Sequence, residues 1–295
     1  MTKIIGIRRG NQYSPNHIGN DAAIFNLVVE NLAKSGYKTT EYSEQEFLNK
    51  THIDAEIVFN MARDKQSIKK LQQLEDEGKL VINSGYGIEN CTREKMTRLL
   101  VANQIPHPQS EIVPTNKPLP VELEKLVSNC WIKRGDFHAI YREDVSYTRN
   151  MKEAESILNE YAMRGIDTAV INEHLSGDLI KFYGVAGTDF FYWFYPDERN
   201  HSKFGLEIIN GKAIGTKFSV SELKDTCNRA AEVLNIYIYG GDGVIDSEGN
   251  IKIIDFNDWP SFAPCRTEAA PYIAQCICDR IKEKVEPTFL VQNER

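Results

Sequence analysis

No stretch of this 295-residue sequence is apolar for long enough to cross a membrane as a helix. The N-terminal decapeptide MTKIIGIRRG lacks the hydrophobic region of a secretory signal, so we expect a cytoplasmic protein without membrane association. The six cysteines form no CxxC pair, which predicts reduced, mostly buried thiols and no zinc site. An excess of positive charge is also missing, since the net charge is −7, and this argues against a nucleic-acid partner.

The sequence also lacks repeats, low-complexity tracts and any Ser-His-Asp or thiol arrangement typical of an enzyme nucleophile. What is present is an ordinary globular composition, 41% hydrophobic and 26% charged. A chain of this length can form two or three packed subdomains.

Strand and helix patterns alternate over the first 90 residues, with apolar strands near 3–7, 37–42, 53–61 and 80–83. Such alternation predicts a parallel sheet with helical crossovers, and therefore an α/β domain over 1–90. A helical pattern over 91–103 opens a second segment, 91–172. A third segment, 173–295, contains two hairpin patterns and a closing helix, so both later segments read as α+β.

The decapeptide IIDFNDWPSF, residues 253–262, is the most informative stretch of the chain. Asp255 and Asn257 stand two apart at the end of an apolar strand pattern, and side chains two apart on a strand share a face. A carboxylate and an amide oxygen on one face suit a hard cation such as Mg²⁺, which usually keeps a phosphate in its shell. The alternative is a strand that simply ends in an Asn-Asp turn.

Asp242 lies on the preceding strand of the same predicted hairpin. If Asp246 pairs with Ile251 across a four-residue turn, Asp242 lies directly opposite Asp255, and three oxygen ligands converge. A three-residue turn without a bulge would instead turn Asp242 away, because a slip of one residue exchanges the two faces. The alternative is that Gly240, Gly241 and Gly243 only ease a bend in the strand.

The chain resembles the ATP-grasp superfamily over nearly its whole length, through an ordered set of weak motifs. These are NSGYGIENCTREKMTRLLVANQIPHP (83–108), the strand WIK (131–133), the segment VINEHLSGD (170–178), and then Asp242, Asp255 and Asn257. The resemblance implies a pre-ATP-grasp α/β domain followed by an ATP-grasp fold of two subdomains, which hold ATP between them. Asp255 departs from the Glu that is commoner at its position, but it keeps a carboxylate.

The resemblance also implies roles for individual residues. Lys95 and Lys133 would contact nucleotide phosphates. The backbone of Ile171, Asn172, Glu173 and Leu175 would bind the adenine edge, and Asp178 would hold ribose hydroxyls unless it is only a turn residue. The metal ligands would be Asp242, Asp255 and Asn257, with Mg²⁺ as the ion and Mn²⁺ as a substitute.

Between Lys133 and Arg149 the family often places a glycine-rich flap, but this chain has only Gly135 there. Within this polar segment, which reads as a mobile loop or hairpin, His138 and Arg142 are candidates for contacting substrate or developing charge. Lys181 alternates with apolar residues after the hinge and is a further catalytic candidate, or else lies on a half-exposed strand face.

In the first domain, Asn60, Arg63 and the loop 14–16 follow strand ends, where open parallel sheets bind ligands. They are candidates for a second-substrate pocket, although loop capping would explain them equally.

The function that the resemblance implies is an ATP- and Mg²⁺-dependent ligase that joins a carboxylate to an amine through an acyl phosphate. The substrate would be a small molecule or a peptide, and a homodimer is a candidate assembly. Two alternatives stay open: a small-molecule kinase of the same superfamily, which phosphorylates a hydroxyl, and a nucleotide-binding protein without chemistry.

Overall fold

The computed structural model describes residues 3–15, 18–196 and 209–285. The described residues divide into two compact units. One consists of residues up to 86 together with 185–190 and those from 261 onward, and the other consists of 87–184 and 191–260. No helix within the described ranges is long and apolar enough to span a membrane.

The first unit contains a parallel four-stranded sheet of order β2-β1-β3-β4. Its strands are β1 (Ile4–Arg8), β2 (Thr39–Ser43), β3 (Ile57–Asn60) and β4 (Leu80–Ile82), and its helices include α1 (Ile18–Lys34), α2 (Glu44–Asn49), α3 (Lys65–Asp76) and α9 (Arg266–Val285). Helix α1 packs against α9 and buries Ile24, Phe25, Val28 and Leu32, the spacing of one helical face. The parallel α/β arrangement predicted for this part of the chain is confirmed.

The second unit contains two four-stranded sheets. The first, which we call the central sheet, has the order β5-β8-β6-β7 and is antiparallel. It consists of β5 (Ser110–Pro114), β6 (Cys130–Arg134), β7 (Val145–Thr148) and β8 (Thr168–Glu173). The associated helices are α5 (Arg93–Ala102), α6 (Glu124–Val127) and α7 (Met151–Met163), while the short α4 (Gly85–Asn90) precedes them.

One face of the central sheet is covered by helices. Cys130, Ile132 and Ile171 point into a core with Leu158 and Tyr161 of α7. Because side chains alternate along a strand, Trp131 and Lys133 lie on the opposite face.

The second sheet of this unit, the C-terminal sheet, has the order β10-β9-β11-β12. It consists of β9 (Asp178–Val185), β10 (Phe191–Phe194), β11 (Ile238–Ile245) and β12 (Ile251–Asp258), and α8 (Val220–Leu234) precedes β11. The 15-residue α8 begins at the N-cap Ser219 and ends at Asn235 in the left-handed conformation.

Candidate active site

The pair Asp242 and Asp255 forms the centre of the candidate site. These residues are directly opposed in the antiparallel β11–β12 ladder, so their side chains share a face, as predicted. The predicted turn was wrong, however, because Ile251 pairs with Ile245 and not with Asp246. That pairing alone would place Asp242 opposite Ile254.

A β-bulge between Asp242 and Gly243 restores the facing pair. Gly243 pairs with Ile253 and Asp242 with Asp255, so Ile254 is the extra residue on β12. Gly241 permits the close packing here, since a side chain at this position would collide with the carbonyl of Asp255 and the ring of Phe182. The glycines therefore allow close packing, in addition to any bend of the strand.

Lys133 contacts the backbone of the bulged residue. Its Nζ donates to the carbonyl of Ile254 at 2.9 Å, which joins β12 to the face of the central sheet opposite its helices. The lysine is 7% exposed. Burial, together with the positive charge of Arg93, lowers the pKa of Lys133 to about 8, although Asp255 and Asp242 act in the opposite direction.

Arg93 is a site residue that the sequence analysis missed. It begins α5, is 4% exposed, and its Nη2 lies 3.0 Å from Oδ2 of Asp255. Its Nε and Nη1 are buried without a hydrogen-bond partner. A buried guanidinium with two unused donors is costly, and an anionic ligand would satisfy them.

Lys95, the basic residue predicted for this role, lies elsewhere. It is two positions beyond Arg93 on α5, which puts it on a different face of the helix. Its Nζ pairs with Oε1 of Glu89 at 2.9 Å, and both side chains are largely exposed. The helix start at Thr92 could have identified Arg93, because first-turn residues of a helix lie at the end that favours anions.

The carboxylate of Asp255 is held in its charged form. Burial alone would raise its pKa. The positive charges of Arg93 and Lys133, together with the hydrogen bond from Asn257, outweigh burial and lower the pKa of Asp255 to about 2. Asp242 pairs with Lys181, whose Nζ lies 2.9 Å from Oδ1. The structure thus brings together five of the residues predicted for the site: Lys133, Lys181, Asp242, Asp255 and Asn257.

The predicted base-binding segment lies at the end of β8. Ile171 packs its side chain into the helix-covered core, so only its backbone is available for a ligand. Asn172 donates from Nδ2 to Oγ of Ser110 at 2.7 Å. The carboxylate of Glu173 accepts from the backbone N–H of Gln109 at 2.8 Å and from Nζ of Lys252 at 3.0 Å.

Two other predicted nucleotide contacts are engaged in hydrogen bonds within the protein. The carbonyl of Leu175 accepts from Nδ2 of Asn210 at 3.1 Å. The carboxylate of Asp178 accepts from the backbone N–H groups of Ile214 and Thr216 at 2.8 and 2.7 Å, and these bonds lower its pKa although burial opposes them. Asp178 therefore anchors the 214–216 segment, as a turn residue would.

The segment predicted as a mobile loop or hairpin forms a hairpin, in which β7 pairs antiparallel with β6 across an ordered connection. The His138 ring lies against Phe137 with centroids 4.2 Å apart, and Arg142 is exposed in a short 3-10 turn. The fully buried carboxylate of Asp144 accepts from the N–H groups of Ile140 and Tyr141 and pairs with Arg164. The connection is held by this carboxylate and is unlike a glycine-rich flap.

In the first unit, the candidates for a second-substrate pocket also have structural contacts. Asn60 is fully buried and donates from Nδ2 to the carbonyl of Asn83 at 2.9 Å. Glu44 accepts from the N–H groups of Gly10 and Arg63, which ties the ends of β1 and β3 together. Asn16, from the predicted loop, lies outside the described residues.

No protein-family model matches the chain, and no curated protein does. Solved structures do. The D-alanine–D-alanine ligase from Bacillus anthracis, complexed with ATP, is 15% identical with a TM-score of 0.67, covering 97% of this chain and all of that one. The ATP-grasp ligase PsnB, complexed with a minimal precursor, is 18% identical with a TM-score of 0.62, covering 95% and 99%.

A RimK domain ATP-grasp protein from Sphaerobacter thermophilus is 12% identical with a TM-score of 0.66, covering 93% of this chain and 99% of that one. This chain has the ATP-grasp fold. The resemblance inferred from the sequence is thereby confirmed for the fold. Because the identities are low, statements about the residues and chemistry of this chain rest on its own geometry.

Proposed function

We propose that this protein is an ATP-dependent ligase that joins a carboxylate to an amine through an acyl phosphate. The observation that carries the proposal is Arg93, a buried guanidinium with two unpartnered donors beside Lys133 and Asp255. A nucleotide phosphate fits such a group, since it offers several acceptor oxygens to a planar fork of donors. The similar structures of ligases support the class of reaction.

The donor set also fits a divalent cation. Asp242 and Asp255 share a face of the ladder, and Asn257 follows on the same strand and face as Asp255. Two carboxylates and an amide are the hard oxygen ligands that Mg²⁺ prefers, and Mn²⁺ accepts them too. Bound there, the ion would neutralise phosphate charge.

The residues would act by position and charge. Arg93 and Lys133 would hold the phosphates, and Lys181 would lie beside the reacting end through its contact with Asp242. A substrate carboxylate oxygen would form a bond to the γ-phosphorus while the bond to ADP breaks. The amine would then attack the carbonyl carbon, lose its proton and displace phosphate. No enzyme nucleophile is needed, so positioning and charge stabilisation supply the rate.

ADP release tests the proposal. The protein would be incubated with Mg·ATP and pools of amino acids, short peptides and hydroxyl compounds, alone and in pairs. A ligase releases ADP only when a carboxylate and an amine are both present. Release with a single hydroxyl compound would identify a kinase. Binding of ATP without release under any condition would leave a nucleotide-binding protein, and either result would refute the ligase.

A further inference from the structure

A short proline-flanked segment contacts the backbone of β12 just before Asp255. Among the described strands β12 is the last of the C-terminal sheet, so its outer edge has no partner strand in that sheet. The N–H of Ile253 donates to the carbonyl of Pro106 at 2.8 Å, and the carbonyl of Ile253 accepts from Nδ1 of His107 at 2.7 Å. Nothing in the proposed chemistry uses this histidine.

The two prolines explain why a side chain forms the second of these bonds. A neighbouring strand would satisfy both backbone groups of Ile253 with its own N–H and C=O groups. Pro106 and Pro108 have no N–H, so neither residue beside His107 can donate to the Ile253 carbonyl. The imidazole of His107 supplies the donor that the backbone of this segment lacks.

The contact also fixes the tautomer of the ring. A carbonyl only accepts, so the proton lies on Nδ1. Burial, together with the positive charge of Lys133, lowers the pKa of His107 to about 4, although the bond to Ile253 and the charge of Asp255 act in the opposite direction. The ring is therefore uncharged at neutral pH.

The other nitrogen of the ring makes this position costly. Nε2 of His107 is a buried acceptor without a hydrogen-bond partner. An apolar side chain of similar size would avoid that cost. The Nδ1 contact is therefore the feature that favours histidine here.

This contact acts at the bulge in β12. The extra residue of the bulge is Ile254, which directly follows Ile253. Lys133 donates to the carbonyl of Ile254, so His107 and Lys133 hold two successive carbonyls of the strand. Because a bulge distorts its strand locally, these two contacts restrict where the next residue, Asp255, can lie.

We propose that His107 is a positioning residue for the candidate metal site. By holding the carbonyl of Ile253, it fixes the bulge in the conformation that places Asp255 opposite Asp242. This inference rests on the proposed function, because the alignment of the two carboxylates matters only if they hold a cation. Removing a group that orients a metal ligand typically costs about 10–100-fold in metal affinity.

Three substitutions separate the hydrogen bond from the bulk of the ring. His107→Asn places an amide N–H near the position of Nδ1, His107→Gln places it near Nε2, and His107→Leu has no donor. Wild type, these variants and the control His52→Leu, at an exposed position, would be titrated calorimetrically with a non-hydrolysable ATP analogue. Each titration would be done once with Mg²⁺ and once with EDTA, and circular dichroism would check that each variant is folded.

With Mg²⁺, His107→Leu and His107→Gln should bind the analogue about tenfold more weakly than wild type or worse, because the misplaced Asp255 no longer holds the ion well. His107→Asn and His52→Leu should keep the affinity of wild type. With EDTA, all five proteins should bind alike, because the variants leave Arg93 and Lys133 in place.

Equal affinities of His107→Asn and His107→Gln with Mg²⁺ would overturn the inference, and so would wild-type affinity in His107→Leu. If His107→Leu does not fold, the comparison of His107→Asn with His107→Gln still decides. If wild type binds the analogue in neither condition, the proposed function fails as well. Failure of this inference alone leaves the binding by wild type intact, so the two failures are distinguishable.

Discussion

Arg93 and Lys133 show how much of this site depends on single buried charges. Arg93 offers two buried donors that the protein leaves unsatisfied, and Lys133 keeps its ammonium in a setting that favours the neutral amine. Both conditions disfavour the ligand-free protein and would be relieved by an anion. Such stored cost is typical of functional positions.

Replacing Arg93 with Met should weaken binding of a magnesium–ATP analogue by tenfold or more. Hydrogen bonds to charged groups contribute about 1.5–3 kcal/mol each, and this change removes two potential ones. Isothermal titration calorimetry measures the effect. Arg98→Met is the matched control, since Arg98 is on the same helix but exposed and paired with Glu94. Equal affinities of the two variants would contradict the role of Arg93.

The pKa of Lys133 predicts a stability that depends on pH. The folded value of about 8 lies below the ordinary 10.5, so between these values the unfolded chain binds more protons and the free energy of unfolding rises with pH. The rise should be on the order of 2–3 kcal/mol, from ~1.4 kcal/mol per unit. Urea titrations across this range should show it in wild type and in Lys125→Met, but not in Lys133→Met.

At the scale of single residues, the sequence predicted most of the charged groups that the structure brings together, but not Arg93. Asp255 and Asn257 were found because spacing of two on a strand fixes a shared face. Arg93 was missed because a helix leaves several basic residues equally plausible until the packed face is known. Glu173 and Asp178 accept backbone N–H groups from distant segments, and no local pattern indicates such partners.

Among the elements, the β6–β7 connection was predicted only as a mobile loop or a hairpin, and the structure has the hairpin. The segment is polar and has one glycine, so its sequence gave no signal for the bonds that order the connection. The buried carboxylate of Asp144 holds the connection in place. Its Oδ1 lies 3.5 Å from Nη1 of Arg134 and also pairs with Arg164.

Replacing Asp144 with Ala should release this connection. Removing the buried carboxylate leaves two N–H groups without their acceptor and takes one acidic partner from each of Arg134 and Arg164, which keep Asp136 and Glu160. We expect a loss of about 3 kcal/mol in the free energy of unfolding. Trypsin should then cleave faster after Arg142. Glu143→Ala, at an exposed neighbouring position, should change neither property. If both variants are equally resistant to trypsin, Asp144 does not order the connection.

For the whole molecule, the candidate site is assembled within one of the two compact units. Its charged groups come from α5, β6, β9, β11 and β12, all in the unit of residues 87–184 and 191–260. The fold class was predictable because strand–helix alternation and hairpin patterns are strong, long-range signals. The convergence of these five elements on one site could not be predicted, since each contributes only one or two polar residues.

Hydrogen exchange should therefore respond to nucleotide in a localised way. A magnesium–ATP analogue should slow exchange of the backbone amides in β6, β8 and β12, because ligand contacts raise the free energy of local opening there. The buried strands β1 and β3 of the other unit should exchange at unchanged rates. Slowing confined to β1 and β3 would contradict the assignment of the site to this unit.

The bulge at Ile254 couples the length of a surface turn to the alignment of the metal ligands. The turn after Ile245 sets a register in which Asp242 would face Ile254, and the bulge shifts that register by one residue, so that Asp242 faces Asp255. The turn and the bulge together therefore determine the facing pair. A single insertion or deletion in residues 246–250 would therefore exchange the faces of one strand and separate Asp242 from Asp255, although the change lies on the surface. Variants of this hairpin that keep the ligands aligned should alter the turn and the bulge together.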